Sequence, residues 1–279
     1  MNTNKKFTAA SFMKAKKEGK KISMLTAYDY PMAKLLDEAG LDCVLVGDSL
    51  GMVVLGYEST LQVTVEDIIH HSRAVARGAK RALVIADMPF LSYHISVEES
   101  VRNAGRLIQE GGASAVKLEG GSNVIEKVRA IVNAQIPVVG HLGLTPQSIN
   151  VFGGYKVQGT TLEQVKKIIA DAELLQEAGI CALVLECVPE KLAKLMSEKL
   201  DIPTIGIGAG KYCDGQVLVT QDMLGMYSDL KPKFVKQYAQ LGSVIDEACR
   251  RYIDEIQLQQ FPQEEHSFTI SDEILAKLY

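Results

Sequence analysis

No segment of this 279-residue chain holds an unbroken apolar run near the roughly 20 residues that cross a bilayer. No membrane partner is therefore expected. The N-terminal stretch MNTNKKFTAASFMKAKKEGK lacks the continuous apolar core of a secretory signal. The five cysteines, at 43, 181, 187, 213 and 249, fall in no CxxC spacing. That removes zinc-ribbon and thioredoxin-like readings, and an odd count suits reduced thiols and a cytoplasmic location. Basic excess is absent too: 30 Lys and Arg face 34 Asp and Glu, for a net charge of −4. Nucleic-acid binders usually carry a basic face, so none is expected as partner. GIGAG at 206–210 is glycine-rich but lacks the GxGxxG fingerprint, so close packing explains it as well as a phosphate does. No low-complexity tract interrupts the chain, and no repeat beyond a strand–helix unit is visible.

What is present is a series of short Val/Ile/Leu-rich runs: Ile22–Tyr28, Cys43–Ser49, Leu83–Pro89, Ala115–Gly120, Val138–Leu144, Ala182–Cys187, Thr204–Gly208 and Val217–Gln221. Unbroken apolar runs of this length read as strands buried on both faces. Amphipathic helices separate most of them: Pro31–Ala39, Val65–Arg77, Val97–Gln109, Ser122–Asn133, Leu162–Glu177 and Pro189–Lys199. This alternation predicts an α/β fold, a (β/α)8 TIM barrel, in a single domain spanning the chain. A lid helix at about 8–18 is expected over one barrel end. A C-terminal helix and tail are expected over about 232–279, the tail from Phe261 wrapping the surface or a neighbouring subunit. The loop-like stretch 141–159 follows the fifth strand and reads as a second lid, with Gly153–Gly154–Tyr155 able to close over the site.

In such barrels the active site lies at the C-terminal ends of the strands, and here those ends are reactive. Asp48 and Ser49 follow VLV, Asp87 lies in ADMPF, Lys117 and Glu119 in AVKLEG, and Glu186 in VLECVP. Each has an ordinary structural explanation: a turn or N-cap for Asp48 and Ser49, a turn before Pro89 for Asp87, a buried salt bridge for Lys117 and Glu119. Strand alternation turns Lys117 and Glu119 to one face, and burying both is costly unless they pair or bind something. Three carboxylates with no His or Cys among them suit a hard cation such as Mg2+. One or two would bind it directly and the rest through water. Glu186 has no basic neighbour in sequence, which favours a general base over a salt bridge. His141, in VVGHLG, is most simply a hydrogen-bonded core residue and alternatively a neutral donor to substrate.

The segments MLTAYDYPMA, VGDSLGMV, ADMPF, AVKLEGG, VVGHLGLTPQS, LVLECVP and IGIGAG, in this order, resemble the ketopantoate hydroxymethyltransferase family. That family belongs with the phosphoenolpyruvate mutase/isocitrate lyase type of barrel. The resemblance covers roughly residues 5–265. It implies transfer of a hydroxymethyl group from 5,10-methylenetetrahydrofolate to 3-methyl-2-oxobutanoate, giving 2-dehydropantoate for pantothenate and coenzyme A synthesis. By motif it implies Asp48, Asp87 and Glu119 as ligands of Mg2+ and Glu186 as proton acceptor. Asp48, Ser49, Asp87 and Lys117 would form the keto-acid cleft, with His141 a further candidate there. A homo-oligomer, typically a decamer, is implied as well. Two other functions fit the same acids: a Mg2+-dependent carbon–carbon lyase on a 2-oxo acid, and a barrel that binds without turnover.

Overall fold

A computed structural model describes residues 5–226 and 232–278. Residues 1–4 and the last residue of the expected tail, Tyr279, lie outside the described residues. Eight parallel strands close in sequence order: β1 Ile22–Thr26, β2 Cys43–Val46, β3 Leu83–Asp87, β4 Ala115–Glu119, β5 Val138–Gly143, β6 Ala182–Glu186, β7 Thr204–Ile207 and β8 Gly215–Leu218. The (β/α)8 barrel expected from the sequence is the observed architecture. Two apolar layers form it. Outward strand residues such as Val44, Val84, Val116 and Leu183 pack beneath the helices. Inward residues such as Met24, Leu45, Ile85, Val139 and Val184 fill the barrel.

The N-terminal helix spans Ala9–Lys17 and is introduced by Thr8, which exchanges hydrogen bonds with Ser11. Its basic last turn complements the negative end of the helix dipole. Phe12 and Ala15 face inward and join Phe7, Ile22 and Leu83 in the barrel's inner core. Lys16 reaches Asp214, just before β8, at 2.9 Å. The helix therefore plugs the N-terminal end of the barrel, and the opposite end stays open.

Two expectations need correction, the bounds of the last strand and the start of the C-terminal helix. The last strand, Gly215–Leu218, starts two residues and ends three residues before the expected Val217–Gln221, because Thr220 turns out of the sheet to bond Thr26 through its N–H and hydroxyl. The connection Gly208–Asp214 between β7 and β8 holds no helix, although parallel crossovers usually need a dozen or more residues and a helix. The C-terminal helix begins at Leu241, not near 232, and ends at Gln257. Residues 232–240 are instead irregular, tied by Tyr238 and Leu241 N–H groups to the carbonyls of Met223 and Leu224. Within the expected lid 141–159, β5 runs on to Gly143, and Pro146–Ser148 and Ile149–Phe152 are short helical turns. The tail does not wrap its own barrel. Phe261 packs against Tyr252 and His266 at the end of the last helix, and Phe268 is fully exposed.

Candidate active site

Inside the barrel every second strand residue points inward, and near the C-terminal end that series changes from apolar to charged. On β3 it runs Leu83, Ile85, Asp87; on β4, Ala115, Lys117, Glu119; on β5, Val139, His141; on β6, Ala182, Val184, Glu186. Strand register then sets the neighbours. Asp87 lies beside Lys117, Glu119 beside His141, and Glu186 beside Gly143. Together with Asp48, Ser49 and Thr26 these side chains line a cavity of about 410 Å³ at the open end.

The charges form a chain of close contacts. Lys117 Nζ lies 2.9 Å from Asp87 Oδ1 and 3.4 Å from His141 Nδ1. His141 Nδ1 is 3.3 Å from Glu119 Oε1, and its Nε2 is 3.3 Å from Glu186 Oε2. The Asp48 backbone N–H donates to Asp87 Oδ2 at 3.0 Å. Burial, then the neighbouring Asp87 and Glu119, holds the Asp48 carboxyl well above the usual carboxylate range. Burial also raises Asp87, against the opposing pull of Lys117. Burial opposes the charge of Lys117, but Asp87, Glu119 and Asp48 outweigh it and keep the ammonium protonated. For His141, burial and Lys117 push down, while Glu119 and Glu186 push up further, to about 9. The two flanking carboxylates thus favour the protonated form of His141. The cause is tertiary, since the two flanking carboxylates come from other strands.

The sequence-derived residues thus converge on one cavity. Ser49 stands at the N-cap position of a short helix, Leu50–Val53, and its hydroxyl meets Tyr28 at 2.8 Å. Its turn role and its cavity role coexist. Glu186 differs from the other acids. Its side chain is 16% exposed against 3% for Asp87 and Glu119, so it faces the open part of the cavity. The basic neighbour that Glu186 lacks in sequence is supplied by β5 as His141.

Two backbone features aim Glu186. Gly143 has φ +96°, and a Cβ there would strike the Glu186 carbonyl, so only glycine lets β5 and β6 approach this closely. Leu144 N–H then bonds that carbonyl at 2.8 Å. Cys187 holds φ +47°, an uncommon conformation for a residue with a side chain, and turns the chain sharply after Glu186. The GIGAG glycines serve packing: Gly206 abuts Cys213, Gly208 abuts Phe234 and Gly210 abuts Glu190.

The expected lid reaches over the mouth. Tyr155 lines the cavity and its hydroxyl approaches Met52 Sδ at 3.7 Å, while Gln158 N–H bonds the Cys187 carbonyl at 2.9 Å. Three site residues were not picked out from the sequence: Tyr28, Tyr93 and Gln147. All three lie within the span that carries the resemblance but have no charge at neutral pH, and nothing in their sequence context signals burial.

The donor chemistry fits a hard cation: oxygen atoms only, Asp48 and Asp87 adjacent, and one lysine facing three carboxylates. Asp87 is fixed at both oxygens, Oδ1 by Lys117 Nζ at 2.9 Å and Oδ2 by the Asp48 N–H, which holds its carboxylate beside Asp48. Among the described residues no three His, Cys, Asp or Glu side chains converge as a ready ligand set. Glu119 explains this, because its oxygens are turned to His141 and to the Gln147 N–H.

A closed parallel barrel with paired acids, a buried lysine and a base candidate at its C-terminal mouth defines an enzyme site. The family model for ketopantoate hydroxymethyltransferase matches residues 6–264, and the chain belongs to that family. A relative in Acetivibrio thermocellus called 3-methyl-2-oxobutanoate hydroxymethyltransferase is 63% identical over 99% of this chain and 97% of its own length. One of the same name in Clostridium botulinum is 61% identical over 98% of this chain and all of its own. The protein is accordingly a hydroxymethyl-transferring enzyme. Among solved structures, 2,3-dimethylmalate lyase, a member of the PEP mutase/isocitrate lyase superfamily, shares the fold at TM-score 0.59 and 15% identity, over 97% of this chain and 93% of its own. Phosphonopyruvate hydrolase does so at 0.61 and 12%, over 96% and 94%.

Proposed function

We propose that the enzyme transfers a hydroxymethyl group from 5,10-methylenetetrahydrofolate to 3-methyl-2-oxobutanoate, giving 2-dehydropantoate, the first committed step towards pantothenate and coenzyme A. The names of the close relatives support the acceptor. The observation that carries the chemistry is the inward ring of Asp48, Asp87, Lys117, Glu119 and His141, with Glu186 at its open side. The acceptor is an anion whose C3 proton is adjacent to a ketone. Its removal needs a fixed positive environment and a base. Lys117, kept charged by Asp87, provides the first for the substrate's anionic end. Asp48 and Asp87 would hold Mg2+ directly and Glu119 would hold it through water, in keeping with the few direct carboxylates this ion takes. When bound, the cation supplies positive charge at the keto oxygen while C3 loses its proton. Glu186 takes that proton. The charged His141 beside it holds the Glu186 carboxylate in place and couples it to Glu119. Ser49, steadied by Tyr28, completes the keto-acid cleft. The resulting carbon nucleophile attacks the one-carbon unit of the folate; one water supplies the hydroxyl oxygen as the bond to the folate nitrogen breaks and tetrahydrofolate leaves, while Tyr155 over the mouth restricts access of bulk solvent.

Mixing purified enzyme, Mg2+ and both substrates should yield 2-dehydropantoate by mass spectrometry. Turnover of the keto acid without the folate would instead favour a lyase.

Assembly belongs to the same reading. The helix Leu241–Gln257 buries no residue in the single chain, and Ile245, Tyr252 and Ile256 expose apolar surface along it. An exposed amphipathic face of this kind is best covered by another copy, which supports a homo-oligomer, the decamer being what the family resemblance implies. Light scattering at micromolar concentration should show it, and a monodisperse monomer would contradict it. All five cysteines are free, in keeping with a reducing cytoplasm as the place of action.

A further inference from the structure

We propose that Gln147 is the positioning residue that sets Asp48 and Glu119 for a divalent cation, an inference that rests on the cation reading given above. Gln147 is buried, in the turn Pro146–Ser148 that follows β5. It belongs to none of the strands that carry the acids, yet it touches three of the strand ends. Its Nε2 donates to Asp48 Oδ2 at 2.8 Å and to the Met88 carbonyl at 3.0 Å, just beyond β3. Its backbone N–H donates to Glu119 Oε2 at 3.0 Å.

The orientation of the amide follows from its partners. Asp48 Oδ2 and the Met88 carbonyl are both acceptors, so only the NH2 end can face them. At the other end the Tyr93 hydroxyl donates to Gln147 Oε1 at 2.7 Å, and that hydroxyl accepts the Glu119 backbone N–H at 3.2 Å. Tyr93 is 1% exposed, so its hydroxyl has no competing water. The Glu119 amide, Tyr93, Gln147 and Asp48 thus form one directional chain, and each member fixes the next.

This arrangement matters for a cation because each acid has two oxygens. Gln147 occupies one oxygen of Asp48 and one of Glu119, and leaves the second of Asp48 for the ion. A neutral amide does this without adding a fourth anion or a competing cation to the cluster. Without the side-chain amide, Asp48 would be free to rotate and the Tyr93 hydroxyl beside the Glu119 backbone would lose its acceptor, while the main-chain N–H at position 147 would still meet Glu119.

The test titrates Mn2+ alone into the metal-stripped, full-length protein by calorimetry. Gln147→Met keeps the length and burial of the side chain but removes both donors and the acceptor. Partners that orient metal ligands typically contribute about 10–100-fold in affinity, so the Mn2+ dissociation constant should rise by about that factor. The Mg2+ concentration for half-maximal product formation should rise in parallel, and excess Mg2+ should return the rate to near wild type. A merely structural role would lower the unfolding temperature without any rescue by metal. Equal Mn2+ affinity in wild type and Gln147→Met overturns the proposal. Absence of Mn2+ binding in the wild type instead overturns the cation reading itself. Should Gln147→Met fail to fold, Tyr93→Phe frees the amide's carbonyl end and should weaken Mn2+ binding in the same direction by a smaller factor. Unchanged affinity in that variant would equally overturn the proposal.

Discussion

Glu186→Gln is expected to slow the washing of deuterium from heavy water into C3 of 3-methyl-2-oxobutanoate by about 10²–10⁴-fold, the usual contribution of a positioned general base. Proton removal precedes any use of the folate, so the exchange is a half-reaction that Mg2+ and the keto acid alone should support. Glutamine keeps the size of the side chain and can still meet His141, but it cannot accept the proton. Keto-acid and metal affinities should therefore stay near wild type while the exchange rate collapses. That split separates a lost base from lost binding. Exchange at the wild-type rate would place the base elsewhere, with His141 the next group to test.

Asp87→Ala should show the opposite signature. Asp87 contacts Lys117 at 2.9 Å and accepts the Asp48 N–H, so its loss leaves a buried ammonium short of its nearest counter-charge. Removing one partner of a buried pair typically costs about 3–5 kcal/mol, and the remaining Asp48 and Glu119 place the expected value at the lower end. Denaturant unfolding at fixed protein concentration would measure it. Deuterium exchange should fall as well, through weaker keto-acid affinity and a higher Mg2+ requirement. In the same view, chelation abolishes wild-type product formation and added Mg2+ restores it. Full activity in excess chelator, with no tightly held metal by elemental analysis, would sink the metal assignment.

Much of the barrel was legible because burial on both faces leaves an unmistakable mark. A parallel strand covered inside and out holds mostly apolar side chains, and seven of the eight strands announced themselves in that way. The eighth was misplaced because GQVLVTQ is only half apolar, and the bond between Thr220 and Thr26 that ends it is a tertiary contact. The helix expected from 232 was misjudged for a similar reason. Phe234 folds against Gly208, and the backbone bonds to Met223 and Leu224 hold residues 232–240 out of helical geometry. The candidate acids were visible because strand alternation gave Lys117 and Glu119 one face, and because strand ends are where barrels place their chemistry.

The sequence by itself determined which side chains would be inward and near the mouth, since period-two alternation and strand termination are local properties of the chain. It also determined, through motif order along nearly its full length, the family to which the protein belongs. Only the tertiary structure decided who meets whom. Strand register set Lys117 beside Asp87 and His141 beside Glu119, and register depends on how eight strands close together. The upward pull on the His141 pKa arises in the same way, from carboxylates on the strands to either side. Gln147 became a site residue only when the turn after β5 folded back over β2, β3 and β4, because an uncharged amide reveals its importance through its partners alone.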